Sequence, residues 1–223
     1  FKYKFNIEFD MDLIKSFNKL NFKFFISSTL KIGYENASTL ILSLYINPID
    51  LGIYNTLRKL FLIFPFLSSP LSKLTFSEIT ENYIKKDYKK LNRIIFSYSK
   101  ILLIFLLATS LLCLITYKPY LYFQGVAESD DLLIVIILMI VHHIFISSIW
   151  WLKNFSINHN PGLPIVTNLL LTINTVWISL LLLELNILQP LESISLSILL
   201  AYIPSWYIGL NTYLSFIKRK IND

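Results

Sequence analysis

Cysteine, glycine and charge are all scarce in this sequence of 223 residues. Its one cysteine, Cys113, lies in an apolar run, which excludes an intrachain disulfide and a site built from several cysteines. Five glycines exclude a glycine-rich composition. Charged residues make up only 15% of the chain and hydrophobic residues 55%, with a mean hydropathy of +0.60. Soluble domains carry about a quarter charged residues, so we expect this chain to lie in a bilayer.

Motifs of soluble enzymes are also missing. There is no glycine-rich phosphate loop, no HExxH pair and no nucleophile elbow. We therefore expect a protein that is not an enzyme, with no catalytic residue, metal or cofactor, and we expect no ATP-driven pump from this chain alone. The chain begins with Phe and lacks the basic and apolar segments of a signal peptide, so we expect a fragment or the second half of a longer chain.

Long apolar runs, in contrast, are abundant, and a helix that crosses a bilayer needs about 20 mostly apolar residues. The sequence predicts an all-α, polytopic membrane helical bundle with a cytoplasmic segment 1–23, a transmembrane unit 24–217 and a cytoplasmic tail 218–223. Residues 6–19 are compatible with an interfacial helix. The six predicted transmembrane helices are 24–46, 56–77, 95–117, 131–152, 162–185 and 193–216. Three prolines within them predict kinks: Pro65, Pro70 and Pro204.

Basic residues alternate between the segments that join these spans. The segment before the first span, the 78–94 loop and the C-terminus carry clusters of Lys and Arg, whereas 47–55 and 186–192 carry none. The positive-inside rule therefore places both termini in the cytoplasm and favours an even number of spans. A phosphoinositide or nucleic-acid patch is the alternative for the 78–94 loop. Its orientation signal already explains the charge, so we expect no nucleic-acid partner.

The first predicted span carries a polar stripe. At 100° per residue, five side chains fall within a sector of about 100°, namely Ser28, Lys31, Glu35, Ser38 and Thr39. Leu40 and Leu44 lie on the opposite face. A charge at the centre of a membrane helix costs about 2.5–3.5 kcal/mol, so the stripe should face other helices or water. Either Lys31 and Glu35 form a structural ion pair, or they line a cavity for an anion and its balancing charge.

Other polar residues have two interpretations each. Arg58 and Lys59 begin the second span, where they either snorkel to the outer surface or face a cavity, and Lys73 near its inner end is expected to snorkel.

His142 and His143 are adjacent, so they point about 100° apart and cannot both face one metal as an i, i+4 pair would. We expect one buried, hydrogen-bonded histidine and one facing a partner helix. Asn168 and Asn174 are expected to form interhelical hydrogen bonds.

The stretch NPIDLGIYNTLRKL, residues 47–60, resembles the polysaccharide (O-antigen type) flippases of the multidrug/oligosaccharidyl-lipid/polysaccharide exporter superfamily. Those proteins often have an acidic residue early in a span, then a short outer loop ending in a GIY element, then a lysine. Glu35, the GIY of residues 52–54 and Lys59 match these features. Residues 70–103 resemble their second-span exit and basic loop, and 162–183 their proline- and asparagine-bearing span.

The chain departs from the family pattern in two places. Residues 191–199 replace a Gly/Ala-rich stretch, and Arg58 stands where an aromatic residue is common. The identity of the substrate therefore does not transfer from the family.

The resemblance implies the C-terminal six-helix lobe of a MATE-like fold in the bacterial plasma (inner) membrane, working by alternating access with an N-terminal lobe of the same transporter. It implies membrane lipids as surroundings and a lipid-linked oligosaccharide of the polyprenyl diphosphate type as substrate. A buried diphosphate needs cationic partners, for which Lys31, Arg58 and Lys59 are the candidates. Lys59 matches the family's lysine and is favoured as the more sensitive of the last two. Glu35 would be the ion-coupling or charge-pair carboxylate.

Two other function classes remain open. A membrane acyltransferase or glycan polymerase of the same pathway would use His142 or His143 as a base, and would need a sizeable outer loop to hold donor and acceptor. A non-catalytic membrane scaffold would need no carboxylate inside the membrane.

Overall fold

The computed structural model describes residues 11–125 and 132–222, without the side chains of 12–14, 16, 20, 35 and 222. This part of the chain is all-α, as predicted, with nine helices and no strand. The helices are α1 Met11–Leu42, α2 Pro48–Phe61, α3 Ile63–Leu74, α4 Phe76–Ile84, α5 Tyr88–Phe123, α6 Leu132–Ser148, α7 Leu152–His159, α8 Leu163–Leu185 and α9 Pro190–Asn222.

Four helical segments are long and apolar enough to cross a membrane, and a bent fifth brings the total to five within the described ranges. The four are Tyr88–Phe123, Leu132–His159, Leu163–Leu185 and Pro190–Ile221. The fifth joins Pro48–Leu74 to Phe76–Ile84 across a bend of 43°. α1 is not among them, because its polar stripe lowers the apolarity of the first predicted span.

The second predicted span is a broken helix. α2 ends at Phe61 and α3 begins at Ile63, while α4 continues after Thr75. Pro65 has no backbone N–H to donate to the carbonyl of Phe61, four residues earlier, which explains a break at this point. The kink expected at Pro65 thus takes the form of a helix break, whereas Pro70 lies inside α3, which continues past it. Pro204 also differs from Pro65, since α9 runs through it without interruption.

The helix boundaries depart from the predicted ones mainly at the ends. α1 is already helical at Met11, so residues 11–23 continue directly into the first predicted span rather than forming a separate element. Residues 1–10 lie outside the described part of the chain. Helix also continues beyond the fourth predicted span, through a turn at 149–151 into α7.

The segments that were predicted to share one side of the membrane lie together. One small depression at one end of the bundle is lined by residues of three segments: Tyr45, Ile46, Asn47 and Asp50; Leu132 and Val135; and Gln189, Pro190, Leu191 and Glu192. At the other end, Tyr83 and Phe155 contact Phe216 through their rings, at centroid distances of 5.6 and 5.3 Å. This grouping is the one that alternating helix directions produce.

Large apolar side chains remain on the outside of the bundle. On α5 they include Ile104 and Leu111, which are 69% and 61% exposed, and on α8 they include Trp177, which is 71% exposed. A water-soluble monomer rarely leaves so much contiguous apolar surface open, whereas helices in contact with lipid do so routinely. The exposed faces therefore fit a protein surrounded by membrane.

Candidate functional site

A cavity of about 790 Å³ lies between the helices. Side chains from α1, α2, α3, α6, α7, α8 and α9 line it, together with Leu62 at the α2–α3 break, whereas α5 packs outside. Its wall mixes apolar residues with three cationic side chains, two histidines, three tyrosines and several hydroxyl groups. This volume lies in the range of ligand-binding pockets.

The polar stripe of α1 faces this cavity, as the sequence predicts for a stripe turned away from lipid. Ser28, Lys31 and Ser38 belong to the lining. Leu40 and Leu44, on the opposite face, are 67% and 80% exposed. In this stretch of α1, polar side chains therefore line the cavity while large apolar ones lie on the outside of the bundle.

Arg58 lies at the cavity and Lys59 does not. The Arg58 side chain is partly buried, belongs to the lining and donates a hydrogen bond from Nη1 to Thr39 Oγ1 of α1 at 2.6 Å. Lys59, the next residue, is exposed and absent from the lining. Lys73 is also exposed, as expected of a snorkelling residue. The structure thus brings together Lys31 and Arg58, but not Lys59.

Glu35 falls on α1 between two cavity residues, Lys31 and Ser38. Its side chain lies outside the described part of the structure. The predicted role of this carboxylate in ion coupling or charge pairing therefore stays a prediction.

The two adjacent histidines have different partners, which confirms the interpretation made from their spacing. His142 is buried and its Nε2 shares a hydrogen bond of 3.0 Å with the Tyr34 hydroxyl of α1. The ring of His143 stacks against the rings of both Phe61 and Phe64, at centroid distances of 5.6 Å. Both histidines line the cavity, and the described residues contain no group of side chains arranged to hold a metal.

Asn168 on α8 joins the wall to α1. Its Nδ2 donates to the backbone carbonyl and the hydroxyl of Ser27, both at 2.9 Å, which confirms the predicted interhelical role. The same prediction is wrong for Asn174, whose side chain forms no hydrogen bond within the described residues. Asn168 has a polar partner because it faces α1 at the cavity, whereas Asn174 is not in the cavity lining.

Sequence analysis missed several lining residues. Lys153 was not among the candidate cations, yet it is the third cation of the cavity wall. Ser195, Tyr202 and Ser205 on α9 were not singled out. Their spacing of seven and then three residues places them on one helical face, so a search for polar stripes in the last span would have found them.

The fold and the cavity define a helical protein with several helices able to cross a membrane and an internal, partly cationic chamber. Comparison with protein-family models, curated proteins and solved structures finds no match for this chain.

Proposed function

We propose that this protein is one six-helix lobe of a flippase that moves a lipid-linked oligosaccharide across the bacterial plasma membrane by alternating access. The substrate is a glycan on a polyprenyl diphosphate, and a second lobe of the same transporter completes the pathway. In this proposal α1 also crosses the membrane, which brings the number of spans to six. Both termini are cytoplasmic, and the lobe has a MATE-like arrangement. The resemblance of residues 47–60 and the alternation of basic loops support it.

The observation that carries the proposal is the position of the cationic side chains. Lys31, Arg58 and Lys153 come from three helices and line one cavity between segments apolar enough to cross a membrane. Cations in such a place are costly and usually mark a transport pathway. A diphosphate group requires cationic partners when it leaves water, and this wall carries cations that can hold such a group.

The alternative function, an acyltransferase or glycan polymerase, would use His142 as its base, and this residue lines the same cavity. Such an enzyme needs an outer loop that holds donor and acceptor. At the predicted outer side, the described connections 43–47 and 186–189 are short turns. The transporter is therefore the function that we favour.

A substitution that fills the cavity tests the proposal. Ser28 lines the cavity, whereas Ser97 on α5 is equally exposed but lies outside the lining. In a strain lacking its own flippase, we expect the complete transporter to restore glycan on the cell surface, Ser28→Trp to abolish this export and Ser97→Trp to retain it. Protein levels in the membrane are quantified alongside. Normal export by Ser28→Trp at normal protein levels would contradict a transport route through this cavity.

A further inference from the structure

Several polar atoms on the cavity wall have no hydrogen-bond partner within the described part of the chain. Three of them are fully enclosed, namely His142 Nδ1, His143 Nδ1 and Ser195 Oγ. Tyr202, which is 9% exposed, also lines the cavity, and its hydroxyl forms no hydrogen bond within the described residues. The large majority of buried side-chain polar atoms in proteins are hydrogen-bonded, so a group of unpartnered ones in a cavity wall indicates a ligand with matching groups.

His142 on α6 and Ser195 and Tyr202 on α9 belong to two helices that pack against each other. His142 is fixed by its Nε2 contact with Tyr34, and the ring of Tyr202 packs edge-on against it at a centroid distance of 5.6 Å. Ser195 precedes Tyr202 by seven residues on α9 and therefore projects from the same face. His142 cannot turn its free Nδ1 elsewhere without losing both contacts.

The helices that line the cavity differ in the charge of the side chains that they contribute. Its cations, Lys31, Arg58 and Lys153, come from α1, α2 and α7. The described lining residues of α6, α8 and α9 include no acidic residue, lysine or arginine and offer imidazole, amide and hydroxyl groups instead. Imidazoles and hydroxyls pair well with groups that both donate and accept hydrogen bonds, as the hydroxyl and acetamido groups of a sugar do, whereas an acyl chain offers nothing to them.

We propose that His142, Ser195 and Tyr202 form a subsite for the sugar next to the diphosphate, while the cationic side of the cavity holds the phosphates. This inference rests on the proposed function and deepens it, because it assigns the two parts of the substrate head group to different helices. The site recognises hydroxyl or acetamido groups rather than charge.

Two probes separate the two halves of the cavity. Undecaprenyl diphosphate and the same lipid carrying one N-acetylglucosamine are titrated against the purified protein in lipid nanodiscs. Tyr202→Phe and Ser195→Ala each remove only an oxygen, and Tyr207→Phe, on the exposed side of the same helix, is the matched control. Thermal unfolding of each variant checks that folding is retained.

We expect the double variant Tyr202→Phe/Ser195→Ala to bind the glycosylated lipid at least about tenfold more weakly, since two hydrogen bonds are lost. Its affinity for the unglycosylated lipid, and both affinities of Tyr207→Phe, should stay close to those of the unmodified protein. Arg58→Gln should weaken the binding of both lipids.

The outcomes distinguish the inference from the function on which it rests. Equal affinity of the double variant and the unmodified protein for the glycosylated lipid, or equal losses for both lipids, would refute the sugar subsite while leaving a diphosphate site intact. If the unmodified protein binds neither lipid, the proposed function fails and the subsite fails with it.

Discussion

Arg58 and Lys59 are neighbours in the chain, yet only one of them reaches the cavity. We predict that Arg58→Gln reduces glycan export by at least about tenfold, because the loss of one charge-assisted contact to phosphate corresponds to roughly 1.5–3 kcal/mol. Lys59→Gln should leave export nearly unchanged, since its side chain is not part of the cavity lining. Export is measured in a flippase-deficient strain, with the amount of each protein in the membrane determined in parallel.

The family resemblance favours the opposite order, with Lys59 as the sensitive residue. The pair of variants therefore distinguishes the prediction made from the structure from the one made from the resemblance. A selective loss in Lys59→Gln would mean that the exposed lysine meets substrate in another conformation or at the second lobe. Equal, mild effects would indicate that both side chains only reach to the membrane surface, and Lys31 and Lys153 would then be the cations of the cavity.

At the scale of elements, α1 and α8 are joined by Asn168. Its amide donates two hydrogen bonds to Ser27, whereas Asn174 on the same helix makes none within the described residues. We predict that Asn168→Leu lowers the free energy of unfolding by about 1 kcal/mol, a usual magnitude for interhelical hydrogen bonds in membranes. Asn174→Leu should change it little. Unfolding in mixed detergent micelles measures both, and an equal response of the two variants would contradict a special role for this contact.

Helices marked by a long apolar run were predicted well from the sequence, and the helix interrupted by prolines was predicted less well. Apolar length located the later spans well, since α8 ends at Leu185, where the fifth predicted span also ends. The second span was harder. Pro65 signalled a disturbance, but whether a proline kinks a helix or breaks it depends on the packing around it, and Pro204 lies in an unbroken helix.

The site was predictable only where one helix carried its own pattern. The stripe of Ser28, Lys31 and Ser38 repeats along α1, so its inward direction followed from the cost of exposing it to lipid. The approach of Lys153 and Tyr202 to that stripe depends on how distant helices pack, which no local period records. Arg58 and Lys59 point about 100° apart around the helix axis. Predicted helix boundaries do not fix the orientation of a helix closely enough to tell which of the two faces the cavity.

For the whole molecule, sidedness can be tested with single cysteines. In a Cys113→Ala background, a membrane-impermeant thiol reagent added to intact cells should label Ile49→Cys and spare Lys89→Cys. Both positions are exposed, so a difference in labelling reports the side of the membrane on which each residue lies. Lysed cells provide the control in which both positions react. Labelling of position 89 alone in intact cells would invert the predicted topology.

The length of α5 carries a consequence for the membrane itself. Residues 101–117 contain no charged side chain and lie between Lys100 and Lys118 on one continuous helix. The two lysines are about 27 Å apart at the usual helical rise, close to the thickness of a bilayer's hydrocarbon layer. Lys100 already leans back toward the start of the helix, with its Nζ 4.6 Å from the centroid of the Phe96 ring. The apolar length of α5 therefore sets the bilayer thickness that this helix matches. A thinner bilayer is accommodated by tilting the helix and the bundle packed on it, whereas a markedly thicker one draws a lysine into hydrocarbon.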